Sequence, residues 1–200
     1  HNSVIIIEKR WEIVYNKFNC GTESICRPQR EGILASALFR KEFSTMYTAK
    51  DIRNLALLGH GGDGKSALCE SMLYVTKAIT RLGKRADGTT VSDFDDEEKK
   101  RQYSIKTSVI PVEFGGCKLN VLDNPGYFDF AAEIVQSLRV ADAGLICLTA
   151  KSGIAVGTEK GWKSLADAGL PAMFYVSKLD EEHANFFNTF DSLRDIFGAS

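Results

Sequence analysis

A glycine-rich octapeptide in the first third of the chain limits its possible folds more than any other segment. It runs Gly59-His60-Gly61-Gly62-Asp63-Gly64-Lys65-Ser66 and fits the pattern G-x-x-x-x-G-K-[ST]. Glycines let a backbone bend closely around phosphate oxygens and point N–H groups at them. An apolar run at 54–58 precedes it, and apolar residues at helical spacing follow over about 65–81. The segment therefore predicts a phosphate-binding loop between a buried strand and the N-terminus of a helix, where the helix dipole is positive. We expect the next residue, Ala67, to contribute to the same site.

The rest of the chain alternates between predicted strands and helices. Four apolar runs predict strands, at 109–114, 118–122, 143–148 and 172–176. Three periodic segments predict helices, at 128–140, 158–168 and 191–197. The segment 82–104 is polar and predicts a long loop, in which the charge run at 93–101 is a solvated loop or a helical turn. Because Gly115-Gly116 indicates a hairpin, the pattern predicts an α/β fold with a mostly parallel sheet, one antiparallel edge strand and helices on both faces.

Composition places the chain among soluble globular proteins. Of its 200 residues, 44% are hydrophobic and 26% are charged, which allows a sizeable core and excludes a disordered acidic or basic chain. No apolar stretch reaches bilayer-crossing length, and a net charge of −1 gives no sign of a basic nucleic-acid surface. The five cysteines are odd in number and lack metal-ligand spacing, which favours a reducing compartment. We therefore expect a cytoplasmic monomer with no membrane partner and no sequence-specific nucleic-acid partner.

The segment D-N-P-G at 123–126 carries groups suited to a nucleotide and its metal. It comes directly after a predicted strand. Beside a phosphate-binding loop, an acid at this place holds Mg²⁺, and a glycine offers its N–H to a γ-phosphate because no side chain blocks the approach. We therefore expect Lys65 to neutralise the β- and γ-phosphates and Gly126 to contact the γ-phosphate. Ser66 and Asp123 are the expected Mg²⁺ ligands.

The segment Ser177-Lys178-Leu179-Asp180 ends the last predicted strand and suits a guanine base. A carboxylate at Asp180 can accept hydrogen bonds from the N1–H and the exocyclic amine of guanine, a pair of donors that adenine lacks. The aliphatic stem of Lys178 can lie over the base. The sequence therefore predicts GTP or GDP, with Mg²⁺, as the ligand. An ATP-using enzyme with the same loop is an alternative, and Asp180 argues against it.

Together these three motifs resemble those of a GTPase, and residues 47–197 resemble the start of the G domain of elongation factor G and its ribosomal GTPase relatives. The segment 123–130 is similar to the family's D-T-P-G-H-x-D-F, and 137–142 is similar to its S-L-R-V-x-D. The segment 177–180 is similar to its N-K-M-D, with Ser177 in place of the usual asparagine. The resemblance covers about three quarters of the chain. It implies a P-loop NTPase G domain that ends before the family's last guanine-contacting loop.

The resemblance also implies roles for residues that depart from the family pattern. Tyr127 stands at the position of the family's catalytic histidine, which helps to place the attacking water. Ser104 aligns with a threonine that senses Mg²⁺, so the segment 82–104 matches the first switch, whose order depends on the γ-phosphate and the metal. Gly62 stands where the family has aspartate, and we expect Asp63, one place later, to face solvent. His60 matches a family histidine, and we expect it to form local hydrogen bonds.

These implications lead to one function and its rivals. We expect a ribosome-associated, elongation factor G-like protein that hydrolyses GTP by attack of water. Lys65 and Gly126 would stabilise charge on the transferring phosphoryl group, and the metal would contribute most. A ribosomal-protection GTPase of the tetracycline-resistance kind shares the motifs and is one alternative. A GTP-dependent binding switch with weak hydrolysis is another, and Tyr127 is its main support.

Regular patterns begin only near Tyr47, which predicts a boundary in the chain. We expect residues 46–200 to form a partial translational-type GTP-binding domain. Residues 1–45 are either a genuine N-terminal extension or leader sequence read in frame. The leader hypothesis rests on Lys41-Glu42, whose codons can resemble a bacterial ribosome-binding site shortly before Met46, the first methionine.

Overall fold

The structure, a computed structural model, describes Ile6, Ile7 and residues 47–198. The strands among these residues are β1 Ile6–Ile7, β2 Ile52–Gly59, β3 Ser108–Phe114, β4 Cys117–Asp123, β5 Ala143–Thr149 and β6 Ala172–Ser177. The α-helices are α1 Lys65–Val75, α2 Asp96–Arg101, α3 Ala131–Leu138, α4 Val156–Asp167 and α5 Phe186–Phe197. Short 3₁₀ helices lie at Arg85–Asp87 and Phe128–Phe130. The predicted apolar runs agree with β2 to β6 to within two residues at each end.

The six strands form one sheet in the order β1-β6-β5-β2-β4-β3. All neighbours pair in parallel except β3 and β4, which form the predicted antiparallel hairpin. A mostly parallel sheet with an antiparallel edge strand is therefore confirmed. The sequence did not predict β1, where Ile6 pairs with Phe174 of β6. Residues 8–46 lie outside the described residues, and the boundary near residue 46 stays a prediction.

Alternate residues of the central strands fill two cores, one on each face of the sheet. Leu58 packs in the same buried cluster as Leu165 of α4 and Leu193 of α5. Its neighbour Leu57 packs in a second cluster with Leu73 of α1. Burying one such side chain contributes roughly 1.5–3 kcal/mol, so both helix layers are held firmly against the sheet. The prediction of helices on both faces is therefore confirmed.

The helix predicted over 65–81 is wrong in its length, because α1 ends at Val75. Lys77 adopts a φ of 60°, and the next N–H group along the chain donates to the carbonyl of Leu73 at 2.9 Å. These are features of a Schellman cap, which usually places glycine at the left-handed position. Ile79 keeps helical spacing in the sequence, but it lies beyond the end of α1 and packs against the buried cluster to which α1 contributes Leu73. Because the residue at the cap position is lysine and not glycine, the sequence carries no signal that the helix ends there.

Lys77→Gly should raise the free energy of unfolding by about 0.5–1 kcal/mol, because glycine adopts positive φ without a clash of Cβ. Urea denaturation followed by circular dichroism measures this change. Lys77→Ala is the matched control, since it removes the same side chain but keeps Cβ. We expect no gain from alanine. An equal gain from both substitutions would place the strain in the lysine side chain rather than in its backbone.

The segment 82–104 is not a loop throughout, and the helical alternative for its charge run is confirmed. It contains the 3₁₀ helix Arg85–Asp87 and helix α2, whose N-terminus is capped by Asp95 through a hydrogen bond of 3.1 Å from the N–H of Glu97. The predicted solvated charge run is wrong for two acids, because Asp93 and Glu98 are each only 2% exposed. Buried acids require partners, and these lie around the site described below.

The remaining helices differ from their predictions mainly at their ends. The helix predicted at 128–140 is instead the 3₁₀ helix Phe128–Phe130 followed by α3. Helix α5 begins earlier than the predicted 191–197, because the side chain of Asn185 caps it by accepting the N–H of Asn188 at 3.1 Å. Within the described part of the chain, no helix combines the length and apolarity that a bilayer crossing requires.

Candidate functional site

A cleft of about 430 Å³ opens where the loops after β2, β4 and β6 meet. In a sheet with parallel strands, the carboxyl ends lie at one edge, so these loops are neighbours. The glycine-rich loop and the start of α1 contribute Gly61, Gly62, Gly64, Lys65, Ser66 and Ala67 to the lining. The other predicted residues that line it are Ser104, Gly126, Tyr127 and Lys178. One cleft therefore joins all three motifs and the segment 82–104.

Lys65 lies at the centre of the glycine-rich loop, residues 59–66. Its ammonium donates to the carbonyls of Gly59 at 3.1 Å and His60 at 2.8 Å, and the residue is only 7% exposed. Burial lowers the pKa of Lys65, and the carboxylate of Asp123 opposes that shift. Two neutral carbonyls compensate a buried cation only in part. The arrangement suits an anion placed beside the ammonium.

Asp63 contradicts the expectation that it faces solvent, since it is only 6% exposed. Its Oδ2 accepts the backbone N–H of His60 at 2.8 Å, which fixes the turn of the loop. Burial raises the pKa of Asp63, and this hydrogen bond opposes the shift. The carbonyl of Asp63 accepts the hydroxyl of Ser177 at 2.8 Å. The backbone N–H and the carbonyl of His60 both form hydrogen bonds within the loop, and the role of its side chain stays a prediction.

Gly126 approaches the glycine-rich loop so closely that no other residue fits. A Cβ at Gly126 would lie 2.6 Å from both the backbone nitrogen of Gly61 and the Nζ of Lys65. The ring of Tyr127 lies over the same loop, because a Cβ at Gly61 would be 3.0 Å from its Cζ. The ring of Tyr103 packs edge-on against Tyr127 with centroids 4.9 Å apart. The structure therefore brings together the three expected catalytic residues, whose roles remain predictions.

Two of the expected metal ligands, Ser66 and Ser104, line the cleft, and the third, Asp123, lies against Ser66. The hydroxyl of Ser66 donates to Oδ2 of Asp123 at 2.6 Å. Asp123 is 1% exposed, and its Oδ1 has no hydrogen-bond partner among the residues that the structure describes. Burial raises the pKa of Asp123, while the hydrogen bond from Ser66 and the charge of Lys65 oppose the shift. A buried carboxylate oxygen without a partner fits a hard cation such as Mg²⁺.

Sequence analysis missed an ion pair beside these ligands. The Nε of Arg85 lies 2.9 Å from Oδ2 of Asp93. The Nη2 of Arg85 donates to the hydroxyl of Ser66 at 2.7 Å and to that of Ser104 at 3.3 Å. Ser104 in turn donates to Oδ1 of Asp93 at 2.7 Å. The sequence around Arg85 and Asp93 does not distinguish this ion pair from solvated charges, because Ser66 and Ser104, which bond to Arg85, are distant in the sequence.

Two further buried acids order the segment 82–104. Glu70 of α1 accepts the N–H of Gly83 at 2.9 Å and also that of Val91. Glu98 of α2 accepts the N–H of Ile105 at 2.8 Å. Both acids are 2% exposed, so backbone N–H groups replace the water that these carboxylates lose. The segment is therefore fixed to α1 near its start and closed on itself near its end.

The segment at 177–180 lies against the glycine-rich loop. Besides bonding to Asp63, the hydroxyl of Ser177 donates to the carbonyl of Leu148 at 3.1 Å. A Cβ at Gly64 would lie 3.7 Å from Ser177. Lys178 lines the cleft, and Asp180 is exposed two residues later. The segment expected to contact the base thus adjoins the loop expected to bind phosphates, which one ligand requires.

Several known proteins are similar to this chain. The family model named elongation factor Tu GTP binding domain matches residues 50–199. An elongation factor G-like protein of Mycobacterium tuberculosis is 36% identical over 147 residues, which cover 74% of this chain and 21% of that protein. Elongation factor G of Dehalococcoides mccartyi is 33% identical over 143 residues, with coverages of 72% and 21%. Mitochondrial ribosome-releasing factor 2 of Candida dubliniensis is 35% identical over 155 residues, with coverages of 74% and 19%. The chain spans about a fifth of the length of these relatives.

Solved structures agree with the sequence relatives. A crystal structure of a protein from Thermus thermophilus is 41% identical, with a TM-score of 0.71, and the match covers 74% of this chain and 22% of that one. Translation elongation factor SelB from Methanococcus maripaludis, in complex with the GTP analogue GppNHp, is 19% identical with a TM-score of 0.54. That match covers 72% of this chain and 26% of SelB, and it supports the fold alone. The chain therefore belongs to the elongation factor Tu GTP binding domain family, and its fold is the G domain of a translational GTPase.

Proposed function

We propose that this chain is the GTP-binding and GTP-hydrolysing part of a ribosome-associated, elongation factor G-like protein. The observation that carries the proposal is the single cleft shared by the glycine-rich loop, Gly126 and Lys178. The relatives named elongation factor G and ribosome-releasing factor 2 support the ribosome as partner. GTP and GDP are the proposed ligands, with Mg²⁺ as the metal. We place the protein in the cytoplasm as a monomer.

Phosphate binding follows from the charge at the centre of the loop. The ammonium of Lys65 has two carbonyl partners, and phosphate oxygens would compensate its charge more fully than these neutral groups do. Backbone N–H groups at the start of α1 add to the attraction, because a helix N-terminus favours anions. The glycines at 62 and 64, with φ of 89° and 90°, let the chain turn around the site.

The proposed metal ligands are the hydroxyls of Ser66 and Ser104 together with Asp123. The Oδ1 of Asp123, which has no hydrogen-bond partner among the described residues, supports this assignment. Among the described residues, no cluster of three His, Cys, Asp or Glu side chains could hold a metal alone. A site with one carboxylate and two hydroxyls suits Mg²⁺, which usually combines one or two carboxylates with water and substrate phosphates. When bound, Mg²⁺ would neutralise charge on the β- and γ-phosphates.

Hydrolysis would use residues that already meet over the loop. The N–H of Gly126 and the ammonium of Lys65 would stabilise charge on the γ-phosphoryl group as water attacks it and the bond to GDP breaks. The phenol of Tyr127 can donate a hydrogen bond to that water, but it is a weaker acceptor than imidazole, so we assign it positioning rather than proton abstraction. Phosphate release over several turnovers, with and without ribosomes, separates this function from a binding switch with weak hydrolysis.

Asp180→Asn should weaken GDP binding by at least about 30-fold, because two guanine donors lose their carboxylate acceptor at roughly 1–3 kcal/mol each. Xanthosine diphosphate should gain affinity, since its ring carries an oxygen where guanine has the exocyclic amine and an asparagine amide can donate to it. Calorimetric titration with GDP, xanthosine diphosphate and ADP measures the three affinities. Glu182→Gln, an exposed charge change two residues away, is the matched control and should change none of them. Equal affinities of the unmodified chain for GDP and ADP would contradict the proposal.

A further inference from the structure

Arg85 brings a positive charge to the oxygens that the proposed metal would use. Its Nη2 donates to the hydroxyl of Ser66 at 2.7 Å and to the hydroxyl of Ser104 at 3.3 Å. These two residues come from different parts of the chain, α1 and the end of the segment 82–104. A single nitrogen therefore joins the segment to the glycine-rich loop through both proposed ligand hydroxyls.

Asp93 holds the guanidinium in this position. Its Oδ2 lies 2.9 Å from Nε of Arg85, while its Oδ1 accepts the hydroxyl of Ser104 at 2.7 Å. The hydroxyl of Thr90 also reaches Oδ2, at 3.3 Å. Asp93 is 2% exposed, so this carboxylate is fully committed to the segment. The planar guanidinium suits such a site because its several N–H groups point in fixed directions.

The guanidinium and a divalent cation would compete for these hydroxyl oxygens, because both carry positive charge. Mg²⁺ requires its oxygen ligands at about 2.0–2.1 Å, on the side of the hydroxyl that faces away from its own proton. Ser66 already gives its proton to Asp123 and accepts from Arg85. A metal bound there would lie within a few ångströms of the guanidinium, and like charges at such a distance repel strongly in a partly buried site.

We propose that Arg85 is a built-in competitor of Mg²⁺ that holds the segment 82–104 on the glycine-rich loop and must leave Ser66 and Ser104 before their hydroxyls can ligate the metal. The inference rests on the proposed function, because it takes these hydroxyls as metal ligands. Nucleotide release is the step that it controls: return of Arg85 to the two hydroxyls favours loss of the metal and, with it, of the nucleotide.

The anchors of the segment make this exchange local. Glu70 accepts the N–H groups of Gly83 and Val91, and Glu98 accepts that of Ile105. None of these hydrogen bonds involves Arg85 or the proposed metal ligands. The ion pair can therefore leave the hydroxyls while the start of the segment stays attached to α1 and its end stays closed on itself. Binding of metal and binding of the guanidinium are then coupled through one small rearrangement.

Arg85→Gln tests the competition through the Mg²⁺ dependence of GDP binding. With a fluorescent GDP analogue at fixed concentration, the half-saturating Mg²⁺ concentration should fall at least about fivefold in the variant, which is the lower end of typical coupling between two sites. Lys84→Gln is the matched control, because it makes the same charge change at an exposed neighbouring residue. Its Mg²⁺ requirement should equal that of the unmodified chain. Arg85→Lys keeps the charge but lacks the forked N–H donors. Its half-saturating Mg²⁺ concentration should lie between those of Arg85→Gln and Lys84→Gln.

Hydrogen exchange of the segment provides a readout that needs neither nucleotide nor metal. Without either ligand, amides in residues 85–90 should exchange at least about tenfold faster in Arg85→Gln than in Lys84→Gln, because the bonds to Ser66 and Ser104 are lost. Equal exchange rates would overturn the holding role of Arg85. They would do so whether or not the chain binds nucleotide.

The possible results separate this inference from the proposed function. GDP binding with the same Mg²⁺ requirement in the unmodified chain and Arg85→Gln overturns the competition and leaves the proposed function intact. A higher requirement in Arg85→Gln also overturns it, since Arg85 would then support the metal. An unmodified chain that binds no GDP at any Mg²⁺ concentration contradicts the proposed function and the competition together.

Discussion

Lys65→Gln should lower the affinity of the chain for GDP and GTP by at least about 100-fold. A charge-assisted hydrogen bond contributes roughly 1.5–3 kcal/mol, and the ammonium would make such bonds to more than one phosphate oxygen. The ammonium is already held at the centre of the loop by the carbonyls of Gly59 and His60, so little ordering opposes binding. Calorimetric titration at saturating Mg²⁺ measures the loss.

The same substitution should change the free energy of unfolding by less than about 1 kcal/mol. Burial lowers the pKa of Lys65, which means that folding disfavours the charged form, and a glutamine amide removes that cost while it can still donate to a loop carbonyl. Lys163→Gln on the exposed surface of α4 makes the same charge change outside the cleft and should leave affinity unchanged. Nucleotide binding by Lys65→Gln at the strength of the unmodified chain would show that the loop does not bind phosphates.

The strands could be predicted because buried parallel strands have simple sequences. Runs such as 143–148 are apolar at nearly every position, since both faces of the sheet are covered by helices. Their bounds agree with the structure to within two residues. The end of α1 could not be predicted in the same way. Lys77 adopts the left-handed conformation without being glycine, and Ile79 continues the helical period after the helix has stopped.

The segment 82–104 shows what a local pattern misses. Its acids look solvated in the sequence, yet Asp93 and Glu98 are buried and hydrogen-bonded. Glu70 accepts the N–H of Val91 across 21 residues, a contact that no short window contains. A carboxylate is buried only where the fold brings hydrogen-bond partners to it. The polar composition of the segment therefore favours solvent for acids that are in fact buried.

The candidate site was predictable where residues follow strands, and less so where they lie in loops. The glycine-rich loop, Gly126 and Lys178 line one cleft because strand ends of a parallel sheet meet at one edge. Arg85 was missed because its partners, Ser66 and Ser104, are each 19 residues away in the sequence. Asp63 was placed wrongly in solvent, because its side chain accepts the N–H three residues before it, a local bond that competes with hydration.

Gly59→Ala should lower the free energy of unfolding by at least about 3 kcal/mol, because strain and collision add together. Gly59 has a φ of 133°, where side chains are strongly disfavoured, and an added Cβ would lie against the carbonyl oxygen of Cys147. The two residues pair at the end of β2 and β5, so relief requires the strands to separate where the loop begins. Urea denaturation measures the loss. Gly62→Ala is the matched control in the same loop, since its φ is 89° but a Cβ there would meet no atom of the described residues within 4 Å. It should cost only about 1–2 kcal/mol, and an equally small loss for both would mean that the strand ends separate freely.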